Sequence, residues 1–276
     1  MADDAPTGVG TTALGVAGAR ALETARDDRL FEDPFAAAFL AGAGWQRPDP
    51  ADLEPGRRGR LGAMAAWVVT RTRFLDDLVL DAAASGVRQV VLLGAGLDSR
   101  AFRLRWPEST RVFELDHPEM LAFKQRVLDE EGAQPAAERI TIPVDLRDDW
   151  VGALRKAGFD ERTPTAWVVE GLLVYLDEAA VDRLMREITA LSAPGSRMGM
   201  TASSQGSIDS WRDAVGEEIS KLWISALPTD PAEWLDGYGW TADAYDSRDR
   251  LRAYGRPAPD RAEGETPTWL IDARRR

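Results

Sequence analysis

No cysteine occurs among the 276 residues, and there is a single histidine, His117. Disulfides, thiolate metal sites and cysteine nucleophiles are therefore excluded, as is a zinc site built on two histidines. Basic charge is also scarce: 34 Lys and Arg stand against 46 Asp and Glu, a net charge of −12. Nucleic acid and anionic membrane surfaces both select a positive field, so neither is an expected general partner. No uninterrupted apolar run reaches the ~18 residues of a membrane span. The opening MADDAPTGVG lacks a basic segment followed by an apolar one, so it does not read as a secretory leader, and a cytoplasmic location is expected. No internal repeat or low-complexity tract is evident. No carboxylate pair stands out from the general acidity as it would in a glycoside hydrolase.

What is present is the composition of a globular protein, 44% hydrophobic and 29% charged, enough for one large domain or one domain with an elaborated cap. Residues 1–10 are expected to be mobile and Thr11–Leu40 helical, with a second helix start at Asp33-Pro34. Gln46–Gly59 reads as a loop. Met64–Ala84 reads as a longer helix with Val68, Leu75, Leu78 and Val79 inward and Gly86 as its stop. The pattern then changes. Gln89–Leu93 is a short continuous apolar run, as in a strand buried on both faces of a parallel sheet. Strands are expected at Arg111–Leu115, Arg139–Val144, Ala166–Val169 and Arg197–Ala202. Helices are expected around Glu119–Glu131, at Asp148–Ala157 and after Asp177, where Val181, Leu184, Met185, Ile188 and Leu191 recur at helical spacing. This cadence predicts βαβ units and an open, mostly parallel sheet. Ser203–Trp240, with four tryptophans, reads as short helices, and Thr268–Ala273 as strand-like.

The segment richest in chemistry is LLGAGLDSRAFRL, Leu92–Leu104. Glycines at 94 and 96 let the backbone turn tightly and approach a ligand at the carboxyl end of a strand. The third glycine of the dinucleotide fingerprint is absent, Ser99 standing in its place. Asp98 would repel a pyrophosphate but suits a ligand with a cationic centre, and S-adenosylmethionine has two. Asp116, 22 residues after Gly94, ends the next strand, where an acid can accept from both ribose hydroxyls. Glu114 competes for that role, although strand alternation turns it away if Asp116 faces the mouth. A helix cap before Pro118 is the plainer role for Asp116. Asp145 and Leu146 end the third strand and could flank an adenine, or Asp145 could cap the next helix. Glu170 ends the fourth strand, where it could meet an amino group or stand as a structural carboxylate.

Together these residues resemble the leucine carboxyl methyltransferase family, in particular its actinobacterial S-adenosylmethionine-dependent methyltransferases. The resemblance runs from Thr12 to Met200 through TALGVAGARALE, RLFEDPFA, RTRFLDD, LLGAGLDSRAFRL, VFELDHPE, VDLRDDW and EGLLVYL. It implies a Rossmann-like class I methyltransferase: α/β, with a seven-stranded, mostly parallel sheet carrying one antiparallel strand, and an N-terminal helical cap. Residues 1–84 would form that cap or lid, and 85–276 the cofactor-binding core with a Trp-rich insertion at 203–240. The cofactor implied is S-adenosylmethionine. Gly94 and Gly96 would line its loop, Asp116 hold the ribose, Asp145 and Leu146 flank the adenine, and Glu170 contact the methionine amino group. Arg71 would pair with the methionine carboxylate, with Arg73 as the register alternative and Arg20 a further candidate for that pole. The N-terminal helices and the insertion carrying Trp211, Trp223, Trp234 and Trp240 would build the acceptor pocket.

Methyl transfer from a sulfonium needs little covalent help, and a carboxylate acceptor, ionised at neutral pH, needs no base. A phenol or alcohol usually wants one, most often histidine, and His117 lies beside the proposed ribose acid. The expected reaction is therefore O-methylation of a small molecule, carboxylate first and hydroxyl or phenol second, with Tyr175 orienting the acceptor and no metal. The alternatives are an NAD(P)-dependent oxidoreductase on the same fold, or an S-adenosylmethionine-binding protein without catalysis.

Overall fold

The computed structural model describes residues 6–45, 54–215, 217–226, 230–261 and 266–276. Residues 1–5, expected to be mobile, and the 46–53 part of the expected loop lie outside the described residues. The apolar run at Gln89–Leu93 forms strand β1, buried at every position. It is followed by β2 (Arg111–Asp116), β3 (Glu138–Pro143), β4 (Thr165–Val169) and β5 (Arg197–Ser203). Two more strands, β6 (Trp240–Asp246) and β7 (Thr268–Arg275), complete a seven-stranded sheet of order β3-β2-β1-β4-β5-β7-β6. β7 runs antiparallel to both its neighbours; the pairs among the first five strands are parallel. From β1 the chain winds outward on one side through β2 and β3 and on the other through β4 and β5. The carboxyl ends of β1 and β4 therefore border the crevice in which open α/β sheets hold ligands.

Alternation along β1 separates two cores. Val90 and Leu92 face helix α3 (Pro55–Ala84), packing with its Leu75, Leu78, Val79 and Ala82. Val91 and Leu93 face the opposite side, with Trp150 and Leu154 of α6 (Trp150–Lys156) and Leu184 and Ile188 of α7 (Glu178–Ala190). Full burial of each such side chain stabilises by roughly 1.5–3 kcal/mol. Asp177 caps α7 by accepting from the Ala180 N–H at 2.8 Å, as its place before the periodic stretch predicts.

The N-terminal region departs from expectation in two places. The helix read over Thr11–Leu40 is two helices, α1 (Val9–Thr24) and α2 (Ala36–Gly42). The turn between them is held by side chains: Glu23 accepts from Leu30 N–H at 2.7 Å and Thr24 from Asp33 N–H at 2.9 Å. α3 also begins at Pro55, inside the stretch read as a loop. Proline lacks an N–H that a first helical turn leaves unpaired anyway, so it marked a helix start there. At 30 residues α3 is ~45 Å long, against ~17 Å for the five residues of β1. Its carboxyl end leads back into β1, so its amino-terminal half projects beyond the carboxyl ends of the strands. A third apolar cluster joins α1 and α2 to α5 (Pro118–Glu130) and to Leu97 of the loop after β1. Short helices α4 (Arg100–Arg103), α8 (Gln205–Val215), α9 (Glu217–Ser220), α10 (Pro231–Asp236) and α11 (Ser247–Ala253) complete the chain.

Candidate functional site

The chain leaves β1 through Gly94 and Gly96, whose φ angles of 65° and 45° lie in the left-handed region that side chains disfavour. A Cβ on Gly94 would also stand 3.2 Å from Leu172 Cδ1. The turn aims the Gly96 N–H at the end of β2, where Asp116 Oδ2 accepts it at 2.6 Å; Asp116 Oδ1 accepts the His117 N–H at 2.7 Å. Burial raises the Asp116 carboxyl above its usual value, and the two backbone donors limit the rise. Glu114, two residues earlier, points into the protein interior. It is fully buried and paired with Lys124 at 2.9 Å and Arg139 at 2.8 Å.

Asp145 and Leu146, after β3, border the same cavity. Arg147 donates to both Asp145 oxygens, at 3.0 Å from Nε and 2.5 Å from Nη2, and this bond chiefly brings the carboxyl down to about 2. Nε2 of His117 lies 3.9 Å from Asp145.

Glu170, after β4, is the hub of a buried ion cluster. Its Oε1 accepts from Arg20 at 3.1 Å and Arg71 at 3.0 Å, and its Oε2 from Arg100 at 2.8 Å. Arg100, with no exposed side-chain surface, also binds Asp76 at 2.7 Å and pairs with Asp98. Arg103 closes on Asp76 with bonds of 2.6 and 2.7 Å. Burial alone would raise the Glu170 carboxyl, but Arg100, Arg20 and Arg71 outweigh it and hold the group far below the usual range. Four arginines (20, 71, 100, 103) thus meet three carboxylates (76, 98, 170), leaving one positive charge over. Burial lowers Arg71, against the pull of Glu170 and aided by Arg20, whereas carboxylate neighbours outweigh burial and raise Arg100 and Arg103.

This geometry corrects one inference and enlarges another. Asp98 borders the cavity, but its charge is already matched by Arg100, so it says little about a cationic ligand. Arg100, Arg103 and Asp76 carry the cluster and were not expected in it. The local signal was present as two arginines three apart in DSRAFR, on one face of a helical turn.

One cavity of about 940 Å³ gathers Gly94, Gly96, Asp116, Asp145, Leu146, Glu170, Arg71, Arg20 and Tyr175. Arg73 is not among its lining residues. Two positions along an α-helix turn a side chain by ~200°, and Arg73 instead donates to Asp77 at 2.9 Å and to Leu30 O at 2.7 Å, its guanidinium over Tyr254. Tyr175, in a 3-10 turn, donates from its hydroxyl to Thr12 Oγ1 at 3.0 Å and ties that turn to α1. Of the four tryptophans expected in a pocket wall, Trp211 and Trp223 line the cavity, joined by Trp45 and Trp67 from the N-terminal region. Trp240 is instead a core residue of β6, donating to Thr189 at 2.8 Å, and Trp234 packs on Tyr238. Among the described residues no group of three or more acidic or histidine side chains is arranged to hold a metal ion, and no helix is long and apolar enough to cross a membrane.

Residues 13–189 match the leucine carboxyl methyltransferase family. A relative from Streptomyces avermitilis is 52% identical over 276 residues, spanning 98% of this chain and 97% of its own length. It bears the name of an S-adenosyl-L-methionine-dependent methyltransferase. A Frankia alni relative of the same name is 53% identical over 258 residues, covering 91% and 89% of the two chains. Among solved structures, a Thermobifida fusca protein described as a methyltransferase superposes with a TM-score of 0.59 at 17% identity, covering 99% of this chain and 96% of its own. Magnesium protoporphyrin IX methyltransferase of Synechocystis PCC 6803, with bound SAM, superposes with a TM-score of 0.51 at 11% identity, covering 95% and 97%. At these identities the likeness is one of fold, the Rossmann-like methyltransferase fold with its single antiparallel strand.

Proposed function

The chain belongs to the leucine carboxyl methyltransferase family and is an S-adenosylmethionine-dependent methyltransferase; we propose that it methylates an oxygen of a small molecule, a carboxylate in preference to a hydroxyl or phenol. The observation that carries this reading is the matched set of charges around one cavity. Three carboxylates stand at the carboxyl ends of β2, β3 and β4, on either side of the glycine turn that follows β1, and an arginine cluster with one unmatched charge stands at one pole. These residues can serve S-adenosylmethionine: Asp116 accepting from the ribose hydroxyls, Asp145 and Leu146 flanking the adenine, Arg71 with Arg20 for the carboxylate, and Glu170 for the ammonium through Oε2, which among the described residues accepts from Arg100 alone. Residues 1–84 would act as the cap over the cofactor-binding core, with Trp211 and Trp223 of the 203–240 insertion contributing to the acceptor wall.

When bound, the cofactor supplies an electrophilic methyl group on a sulfonium. The protein's contribution is then positional, and holding two reactants in near-attack geometry can supply about 7–11 kcal/mol. Asp116 is itself held by two backbone N–H donors, so it presents its remaining lone pairs in a fixed direction. Glu170 stays ionised because three arginines surround it. Tyr175, anchored to Thr12, stands where it can orient the acceptor. The only histidine lies at the Asp145 side of the cavity, which favours an acceptor that needs no base. The net charge of −12 likewise supports a small molecule over nucleic acid as partner.

Calorimetric titration with S-adenosylmethionine, and separately with NAD, tests the cofactor assignment. Micromolar binding of S-adenosylmethionine is expected, weakened at least about 100-fold in Asp116→Ala. Binding of NAD alone by folded protein would overturn it. In Tyr175→Phe, turnover is expected to fall about tenfold with cofactor affinity retained; unchanged turnover removes Tyr175 from the mechanism.

A further inference from the structure

The cavity is divided by charge. Its acidic lining residues, Asp98, Asp116, Glu119, Asp145 and Glu170, all come from the loop after β1, from strand ends and from the first turn of α5. The wall built by α1, α3, α8 and α9 contributes no carboxylate among the described residues. In a chain with 46 acidic residues such a gap marks a surface shaped for something anionic or apolar. α3 shows both qualities. Leu61, Met64, Ala65 and Val68 recur at helical spacing along its cavity face, with Arg71 at the inner end and Arg57 and Arg58 at the outer. Ile208 and Trp211 of α8 repeat that spacing, as do Ile219 of α9 and Trp223 beyond it. Arg71 lies over the Trp67 ring at 5.8 Å, at the border between the ionic pole and the apolar wall. The eleven residues from Leu61 to Arg71 span ~15 Å of helix. Moreover, the large hydrophobic side chains left exposed among the described residues are Val9, Leu22 and Ile224. The first two line this cavity and the third follows Trp223.

We propose that the acceptor is an elongated apolar carboxylic acid: its carboxylate is received at the Tyr175 end of the cavity, and its hydrocarbon or aromatic body lies along the apolar stripe of α3 against Trp211 and Trp223. This rests on the carboxylate reading above and adds the substrate class. The methyl balance is simple: one carboxylate oxygen forms the new O–CH3 bond as the S–CH3 bond breaks, and no proton is taken up or released by the acceptor. Burial of each methylene then contributes about fourfold to kcat/KM, the equivalent of ~0.8 kcal/mol.

The test uses the full chain, methyl-labelled S-adenosylmethionine and four acids: butanoate, octanoate, dodecanoate and the polar control succinate. The expected result is a rise in kcat/KM of roughly 100-fold or more from butanoate to octanoate, with succinate no better than butanoate. Ala65→Trp, which fills the stripe, should collapse the octanoate-to-butanoate ratio to within about threefold while S-adenosylmethionine still binds. A flat series, preference for succinate, or no turnover of any acid, each with S-adenosylmethionine bound in the calorimeter, overturns the apolar-acid proposal and leaves the cofactor assignment standing. Failure of S-adenosylmethionine itself to bind folded protein overturns both.

Discussion

Arg100 shows how far a single residue can be from its sequence context. Its guanidinium is entirely enclosed, yet it holds Asp76, Asp98 and Glu170, from a helix, a loop and a strand end. Removing one member of a buried ionic group leaves its partners charged without compensation, at a cost of about 3–5 kcal/mol. Arg100→Met is therefore expected to lose roughly that much stability in urea unfolding, and Arg100→Lys, which keeps the charge but not the fork, to recover part of it. The carboxylates proposed above for the cofactor were easier to read. Asp116, Asp145 and Glu170 each follow an apolar run, and the fold brings strand ends to one edge whatever the side chains between them do. The ion cluster joins positions 24 and 70 residues apart, and local spacing carries no information about such pairs. The same limit explains Asp98. Its position in the loop was legible, but the arginine that neutralises it turns back from the next helix.

At the level of elements, α3 is anchored to the sheet through the smallest residue available. Gly199 of β5 lies under Leu75 and Leu78, and a Cβ there would meet Leu75 Cδ2 at 2.6 Å and Leu78 Cδ1 at 3.2 Å. Overpacking of this kind typically costs about 1–3 kcal/mol. Gly199→Ala should thus lower the melting temperature, and because α3 also carries Arg71, proposed above for the methionine carboxylate, cofactor affinity should fall with it. Stability and affinity both unchanged would mean that α3 shifts freely on the sheet. The β-strands buried on both faces were legible because their apolar runs are continuous and short. β6 was missed because it is an edge strand, half exposed, whose alternating inward face of Trp240, Ala242 and Ala244 is mostly alanine, a weak strand former, with aspartates at 243 and 246. The start of α3 was missed because Pro55, Gly56 and Gly59 read locally as loop residues, whereas the apolar wall that the helix completes is built by distant segments.

At the scale of the whole molecule, net charge and ion pairing act in opposite senses as pH falls. Acidification from neutrality reduces the self-repulsion of a chain at −12 and relaxes that strain. Below the ordinary carboxylate range the paired acids dominate. Asp98, Asp145 and Glu170 have folded values below their unfolded ones. Each contributes stability that is complete above its unfolded value, 3.8 for Asp and 4.5 for Glu, and that is lost as pH falls toward the folded value. Asp116 has the opposite sign. Burial raises it, so its contribution is present below 3.8 and lost as pH rises through the folded value, a smaller slope against the general trend. The melting temperature should therefore hold near a plateau above about pH 5 and drop steeply below pH 4. Glu170→Gln isolates one of these members. It cannot ionise, so its arginines lose their shared partner at every pH, and the variant should be less stable than the parent at pH 7. As pH falls and Glu170 of the parent takes up its proton, that difference should narrow. Parallel acid limbs for the two proteins would show that Glu170 is not titrating across the transition and that its ion cluster contributes little to the acid stability of the fold.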